Sequence, residues 1–126
     1  MKKKAIIIEN TFNEGKNYGY ILNRYYGVEV NICIDPKNAL CAILDFLPDI
    51  IFMEIDFYNQ ISGFEILEAI REIQQLSKTP IVIISRIRDK EIIKKVYAYG
   101  ITYYFVKPLD KIFFDKKINL ILQGID

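Results

Sequence analysis

Short apolar runs alternate with longer amphipathic segments along the whole chain. Apolar runs such as AIII (5–8), bounded by charged residues, are typical of strands buried on both faces of a sheet, and the segments between the runs repeat hydrophobic residues at helical spacing. The predicted strands are residues 4–9, 28–34, 49–54, 79–85 and 101–106, and the predicted helices are residues 13–26, 35–47, 62–76, 89–100 and 109–123. This alternation predicts a parallel sheet with right-handed crossovers and helices on both faces.

Capping and turn residues mark several of these boundaries. Asp35 with Pro36 is a strong helix start, and Gly27 and Gly100 are suitable helix ends. In an open parallel sheet the working site lies beyond the carboxyl ends of the strands. The residues that follow the predicted strands there are Glu9, Asn10, Asp35, Glu54, Ile55, Asp56, Ser85, Arg86, Lys107 and Pro108.

Length and composition exclude several classes of protein. The 126 residues suit one domain over 1–126, and a formal net charge of +1 gives no reason to expect nucleic acid or anionic membrane as a partner. The chain has no histidine, and Cys33 and Cys41 have no CxxC spacing, so ordinary zinc sites and histidine-based catalysis are excluded. The apolar run after "MKKK" is too short for a signal peptide or a membrane span. We expect a cytoplasmic protein with reduced thiols.

Four motifs resemble one known family when they are taken in order. They are the acidic-amide pair at 9–10, PDIIFME at 48–54, TPIVIIS at 79–85 and GITYYFVKP at 100–108. At this spacing on a five-fold β-α pattern, they make nearly the whole chain resemble the receiver domain of bacterial two-component response regulators. The resemblance implies a flavodoxin-like, doubly wound (βα)₅ sheet in the order 2-1-3-4-5.

The resemblance also implies site residues. In the family, an aspartate at the end of the third strand accepts a phosphoryl group from a histidine kinase, and Glu54 stands at that position. In the family, acids after the first strand hold Mg²⁺ together with the acceptor and a main-chain carbonyl beyond the third strand. The positions that match these metal ligands are Glu9, Asn10, Glu54 and Asp56. A hydroxyl and an amine grip the phosphate oxygens. Ser85 and Lys107 match these two positions, Tyr104 matches the aromatic switch that turns inward when the site is occupied, and the Lys107–Pro108 bond is expected to be cis.

The chain departs from the family where the chemistry lies. Glutamate is one methylene longer than aspartate, so the Glu54 carboxylate is displaced by roughly 1–1.5 Å, and a misplacement of about 1 Å can cost ~100-fold in rate. Asn10 offers no charge to a hard cation, so we expect a weak magnesium site or none. Gly63 follows Glu54 by nine residues rather than the usual eight, and Tyr58 replaces the usual proline. We therefore predict that Glu54 either stands in for a phosphorylated acceptor or simply pairs with Lys107, and does not accept phosphate as the family's aspartate does.

Several alternatives stay open at this point. Asp56 or Glu54 could be a working phosphoacceptor, and Ser85 could merely cap a turn. A small flavin- or nucleotide-binding protein of the same fold is a further alternative, although no glycine-rich phosphate loop follows the first strand. The favoured interpretation is an atypical, non-enzymatic receiver domain that acts through a protein partner, either a histidine kinase or a downstream output domain. A homodimer through the last helix-strand-helix region is possible because it is rich in aromatic residues: Tyr97, Tyr99, Tyr103, Phe113 and Phe114.

Overall fold

The structure is a computed structural model that describes residues 2–58 and 61–125. Five parallel strands form one sheet in the order β2-β1-β3-β4-β5, as predicted. The strands are β1 (Lys4–Ile8), β2 (Glu29–Cys33), β3 (Ile50–Met53), β4 (Ile81–Ser85) and β5 (Tyr103–Val106). The helices are α1 (Phe12–Tyr26), α2 (Ala39–Phe46), α3 (Gly63–Glu72), α4 (Lys90–Tyr97) and α5 (Lys111–Gln123).

The helices cover the sheet on both faces. Successive residues of a strand point to opposite faces, so Ile7 and Phe52 lie under α1 and α5, whereas Ile6 and Ile51 lie under α2, α3 and α4. The central strands are fully buried, which explains why they read as continuous apolar runs. Strand β2 is partly exposed and lies at one edge of the sheet, as its alternating sequence predicted.

The predicted helix at 62–76 is wrong beyond residue 72. Ile73 is extended, and a short 3₁₀ helix, Gln74–Leu76, follows it. Leu76 is still buried, which is why the helical spacing of apolar residues did not reveal the break. The Arg71 guanidinium stabilises the irregular segment by donating hydrogen bonds of 2.8–3.1 Å to four main-chain carbonyls, those of Leu76, Thr79, Tyr99 and Gly100.

The start of α2 was only partly predicted, whereas Gly27 ends α1 as predicted. The segment after Asp35 begins as a 3₁₀ helix, Pro36–Asn38, before α2, although the Asp35 side chain caps it as expected. Gly27 and Gly100 take positive φ values of 64° and 74° after α1 and α4, the conformation that glycine adopts without strain. None of the helices in the described part of the chain has both the length and the apolar composition needed to cross a membrane.

Candidate functional site

The site at the carboxyl edge of the sheet is built around Lys107. Its ammonium nitrogen lies 3.0 Å from Glu9 Oε1, 3.1 Å from Glu14 Oε1 and 3.2 Å from Glu54 Oε1. An ammonium group has three donors, so the three carboxylates use all of them. The main-chain N–H of Lys107 donates to Ser85 O, which fixes the residue beside β4, and its bond to Pro108 is cis, as the resemblance implied.

Glu54 is buried at the end of β3, with 1% of its side chain exposed. Its main-chain N–H continues the sheet by donating to Ile8 O. Its Oε1 atom accepts from Lys107, and its Oε2 atom accepts from the main-chain N–H groups of Ile55 at 2.8 Å and Asp56 at 3.1 Å. Both carboxylate oxygens are therefore engaged by the chain itself. The predicted pairing of Glu54 with Lys107 is present.

Glu9 is fully buried beside this pair. The Tyr18 hydroxyl donates to its Oε2 atom at 3.1 Å, and Lys107 donates to Oε1. Burial raises the pKa of Glu9 from 4.5 to about 7, and the Glu54 charge adds to the rise, whereas Lys107 and Tyr18 oppose it. Burial next to Glu9 raises the pKa of Tyr18 as well. Glu9 is thus the carboxylate in the site that takes up a proton near neutral pH.

Glu14 is a site residue that the motif comparison missed. Thr11 is the N-cap of α1, its hydroxyl accepts from Glu14 N, and Glu14 Oε2 accepts from the Thr11 hydroxyl. The Thr-x-x-Glu spacing is that of a capping box and could have revealed this residue, although Glu14 returns to the Thr11 hydroxyl and not to its main-chain N–H. These two bonds hold Glu14 at the start of α1, where its Oε1 atom binds Lys107 and also Arg86 at 3.2 Å. Burial opposes ionisation of Glu14, but Lys107, Thr11 and Arg86 outweigh it and lower its pKa.

Asn10 places a hydrogen-bond donor among the predicted metal ligands, and Lys107 binds two of those ligands, Glu9 and Glu54. The Asn10 amide nitrogen donates to Asp56 O at 2.9 Å, so a hydrogen-bond donor faces the main-chain carbonyl that the family uses for its metal. Among residues 2–58 and 61–125, no group of three or more carboxylate or thiolate side chains is placed to hold a metal ion. Mg²⁺ needs several oxygen ligands in a near-octahedral array. The donor set at this site fits that requirement poorly.

The remaining predicted residues lie nearby but do not contact Lys107 through their side chains. The Asp56 carboxylate accepts from Tyr58 N at 3.1 Å, away from the lysine. The Ser85 hydroxyl is buried and accepts from Ile87 N at 3.2 Å, a turn-capping contact. Tyr104 is 7% exposed, and its hydroxyl donates to Ile87 O at 2.7 Å, so its ring lies inward. Ser85 and Tyr104 therefore both bind the main chain of Ile87, in the loop after β4.

The loop after β3 packs tightly against α3. A Cβ atom on Gly63 would lie 2.5 Å from Ile55 Cα, so no larger residue fits there without moving the backbone. This contact fixes the main chain that supplies two N–H groups to Glu54. Tyr58, which replaces the usual proline, is 60% exposed and contacts Arg86 through its hydroxyl. Arg86 thus links the exposed Tyr58 to Glu14 beside Lys107.

The comparisons with known proteins agree with this architecture. Residues 5–119 match the family model described as the response regulator receiver domain. Among solved structures, the chemotaxis response regulator CheY4 of Vibrio cholerae is 22% identical with a TM-score of 0.83, covering 96% of this chain and 99% of that chain. A two-component response regulator from Clostridium difficile is 22% identical with a TM-score of 0.83, covering 98% of each chain.

A signal receiver domain from Colwellia psychrerythraea is 17% identical with a TM-score of 0.88, covering 98% of this chain and 100% of that chain. At these identities the solved structures establish the shared fold, and the family model adds the sequence motifs. The match begins in β1, ends in α5 and includes the residues around Lys107. This chain therefore belongs to the response regulator receiver domain family.

Proposed function

We propose that this chain is an atypical receiver domain that signals through protein contacts and does not accept phosphate as its relatives do. The observation that carries the proposal is the saturation of Lys107, whose three donors are used by Glu9, Glu14 and Glu54. Glu54 in turn has no free carboxylate oxygen. A phosphoryl group at this position would have to displace several buried hydrogen bonds, each of which is costly to break without replacement.

The position of Tyr104 supports a single, constitutive state. In the family the aromatic switch turns inward when the acceptor site is occupied, and Tyr104 is inward here, bonded to Ile87 O. The Glu54 carboxylate occupies the pocket and holds Lys107 in the way that a bound phosphoryl group would. We therefore interpret Glu54 as a permanent substitute for the phosphorylated acceptor, with Ser85 and Tyr104 both bound to Ile87 in the loop after β4.

Intact-mass measurement after incubation with acetyl phosphate and Mg²⁺ tests this proposal. The parent protein, Glu54→Gln and Asp56→Asn should all remain free of a phosphoryl adduct. The double variant Glu54→Asp/Asn10→Asp restores the family's acceptor and acidic pair, and it should be the one that gains an adduct. A stoichiometric adduct on the parent would overturn the proposal. Its loss in Asp56→Asn or in Glu54→Gln would then identify the acceptor.

The magnesium part of the proposal has its own test. We propose that the parent binds Mg²⁺ weakly or not at all, because Asn10 and Lys107 already satisfy the carbonyl and carboxylate oxygens. A ligand that binds only the folded state raises the melting temperature as its concentration increases. Added Mg²⁺ should leave the melting temperature of the parent unchanged and raise that of Asn10→Asp. An equal rise in both proteins would contradict this view.

The protein partner is proposed to dock on the aromatic face around edge strand β5. Tyr97 on α4 is 41% exposed, Val106 is 36% exposed and Phe113 on α5 is 44% exposed. The other aromatic residues predicted for this face are more buried, and Phe114 belongs to the core. A second copy of the chain suits this face because apolar residues flank an unpaired strand edge. In sedimentation experiments Phe113→Glu should reduce self-association, whereas Leu44→Glu, of similar exposure on α2, should not.

A further inference from the structure

We propose that the cleft between α1 and α5 binds a small organic anion, with its apolar part on the cleft floor and its charged group on two cations at the rim. The cleft has a volume of about 810 Å³. Pockets for small molecules typically measure ~300–1,000 Å³ and combine an apolar lining with a few converging polar groups. The cleft therefore has the size and composition of a ligand site.

The floor of the cleft is apolar. Its accessible surface comes from Ile21 of α1 and from Pro108 and Leu109 in the loop after β5, and the buried rings of Tyr18 and Phe114 lie beneath them. Tyr18 and Phe114 are tilted against each other with ring centroids 5.9 Å apart, so their positions are fixed by core packing. A pre-formed floor of this kind binds an aromatic or aliphatic group without the cost of ordering side chains.

The rim supplies the charge. Arg88 from the loop after β4 and Lys111 from the first turn of α5 both line the cleft, and within the described residues neither forms an ion pair with a carboxylate. Arg88 is held toward the cleft by a hydrogen bond of 3.4 Å to Lys107 O. Glu14 is the one acidic residue in the lining, and Arg86 and Lys107 already bind it. The available charge at the rim is therefore positive, which favours an anion.

The cleft also contacts the buried site. Glu14 Oε1 is shared by Arg86 and by Lys107, which both line the cleft, and Lys107 also binds the buried Glu9 and Glu54. An anion that attracts Arg86 would withdraw one partner from that oxygen and leave Lys107 as its remaining cation. Occupancy of the cleft would thus change the charge around Lys107 without any covalent modification. Binding in the cleft does not depend on whether Glu54 accepts phosphate, so the two proposals stand or fall separately.

Naphthalene-1-sulfonate is a suitable probe because it pairs an aromatic body with one anionic group and cannot donate a phosphoryl group. In an amide NMR titration of the full chain at low salt, we expect saturable shifts in α1 and in residues 107–111. Naphthalene-1-methanol, which has a similar ring system and no charge, should bind about tenfold more weakly, a difference of about 1.4 kcal/mol shared between two partly exposed ion pairs.

Two charge-reversed variants provide the matched comparison. Arg88→Glu/Lys111→Glu removes both rim cations, and Lys94→Glu/Lys95→Glu makes the same change in net charge on the exposed side of α4. The first variant should lose about tenfold or more in affinity for the sulfonate, and the second should lose less than about twofold. The proposal is overturned by equal binding of the neutral probe, by equal losses in both variants, by shifts outside the cleft, or by no saturable shift up to the solubility limit.

Discussion

Replacing Lys107 with methionine removes the cation that neutralises the centre of the site. Glu9 and Glu54, with 0% and 1% of their side chains exposed, would then be buried without a counter-charge, whereas Glu14, at 26%, can turn toward water. Removing one partner of a buried ion pair costs about 3–5 kcal/mol. Two carboxylates lose their counter-charge, but two factors keep the total cost below twice that value. Glu54 retains two main-chain donors, and Glu9 can take up a proton near neutral pH.

We therefore expect Lys107→Met to lower the free energy of unfolding by about 3–5 kcal/mol at about pH 8, out of a total that is ~5–15 kcal/mol for typical domains. This corresponds to a melting temperature lower by roughly 10–20 °C for a domain of this size. The loss should shrink toward about pH 5, because Glu9, whose pKa is about 7, is then protonated and no longer needs a counter-charge. Methionine fills a similar volume, so the cost is not that of a cavity.

Chemical denaturation at several pH values measures this change. Lys116→Met, which removes an exposed lysine from α5, should alter the free energy of unfolding by no more than about 0.5 kcal/mol. Adding Glu54→Gln to Lys107→Met should recover part of the loss, with a coupling energy of about 1–3 kcal/mol. A Lys107→Met protein as stable as Lys116→Met, or a loss that does not depend on pH, would refute the view that Lys107 is the counter-ion of buried carboxylates.

Three other predictions concern stability and can be checked by denaturant titration. Arg71→Met should cost about 2–4 kcal/mol, because four main-chain carbonyls lose a charged donor, and Arg71→Lys should recover only part of it. Gly63→Ala should cost about 1–3 kcal/mol through its clash with Ile55, whereas Gly124→Ala, whose nearest contact is 3.5 Å, should be nearly neutral. The folded-state pKa of Glu9 lies near 7 and above its ordinary 4.5, so its contribution to stability is complete below pH 4.5 and is lost as pH rises through 7. Relative to Glu9→Gln, the parent should therefore lose about 3 kcal/mol over that window, and parallel pH profiles for the two proteins would contradict this assignment.

The apolar runs and the amphipathic crossovers predicted a parallel sheet, and the resemblance to receiver domains supplied its strand order. The sequence also predicted the meeting of Glu54 with Lys107, since both follow strands that end at one edge of a parallel sheet. It did not predict that Glu14 joins them, because the prediction considered only residues that follow strands. Glu14 lies in the first turn of α1, and the N-terminus of that helix lies at the same edge of the sheet. The end of α3 was missed for a different reason. A 3₁₀ turn buries Leu76 as effectively as a continued helix would, so the apolar spacing is the same in both cases.

Charge balance gives a physical reason why two departures from the family pattern occur together, Glu54 at the acceptor position and Asn10 in the acidic pair. Three carboxylates surround two cations, Lys107 and Arg86, which leaves one excess negative charge. Glu9 can cancel that charge with a proton near neutral pH. An aspartate in place of Asn10 would add a further negative charge beside the Asp56 carbonyl, and a divalent cation would then be needed to bridge the oxygens. With Asn10 as a donor and Glu54 long enough to reach Lys107, the site approaches neutrality with groups that the chain itself supplies.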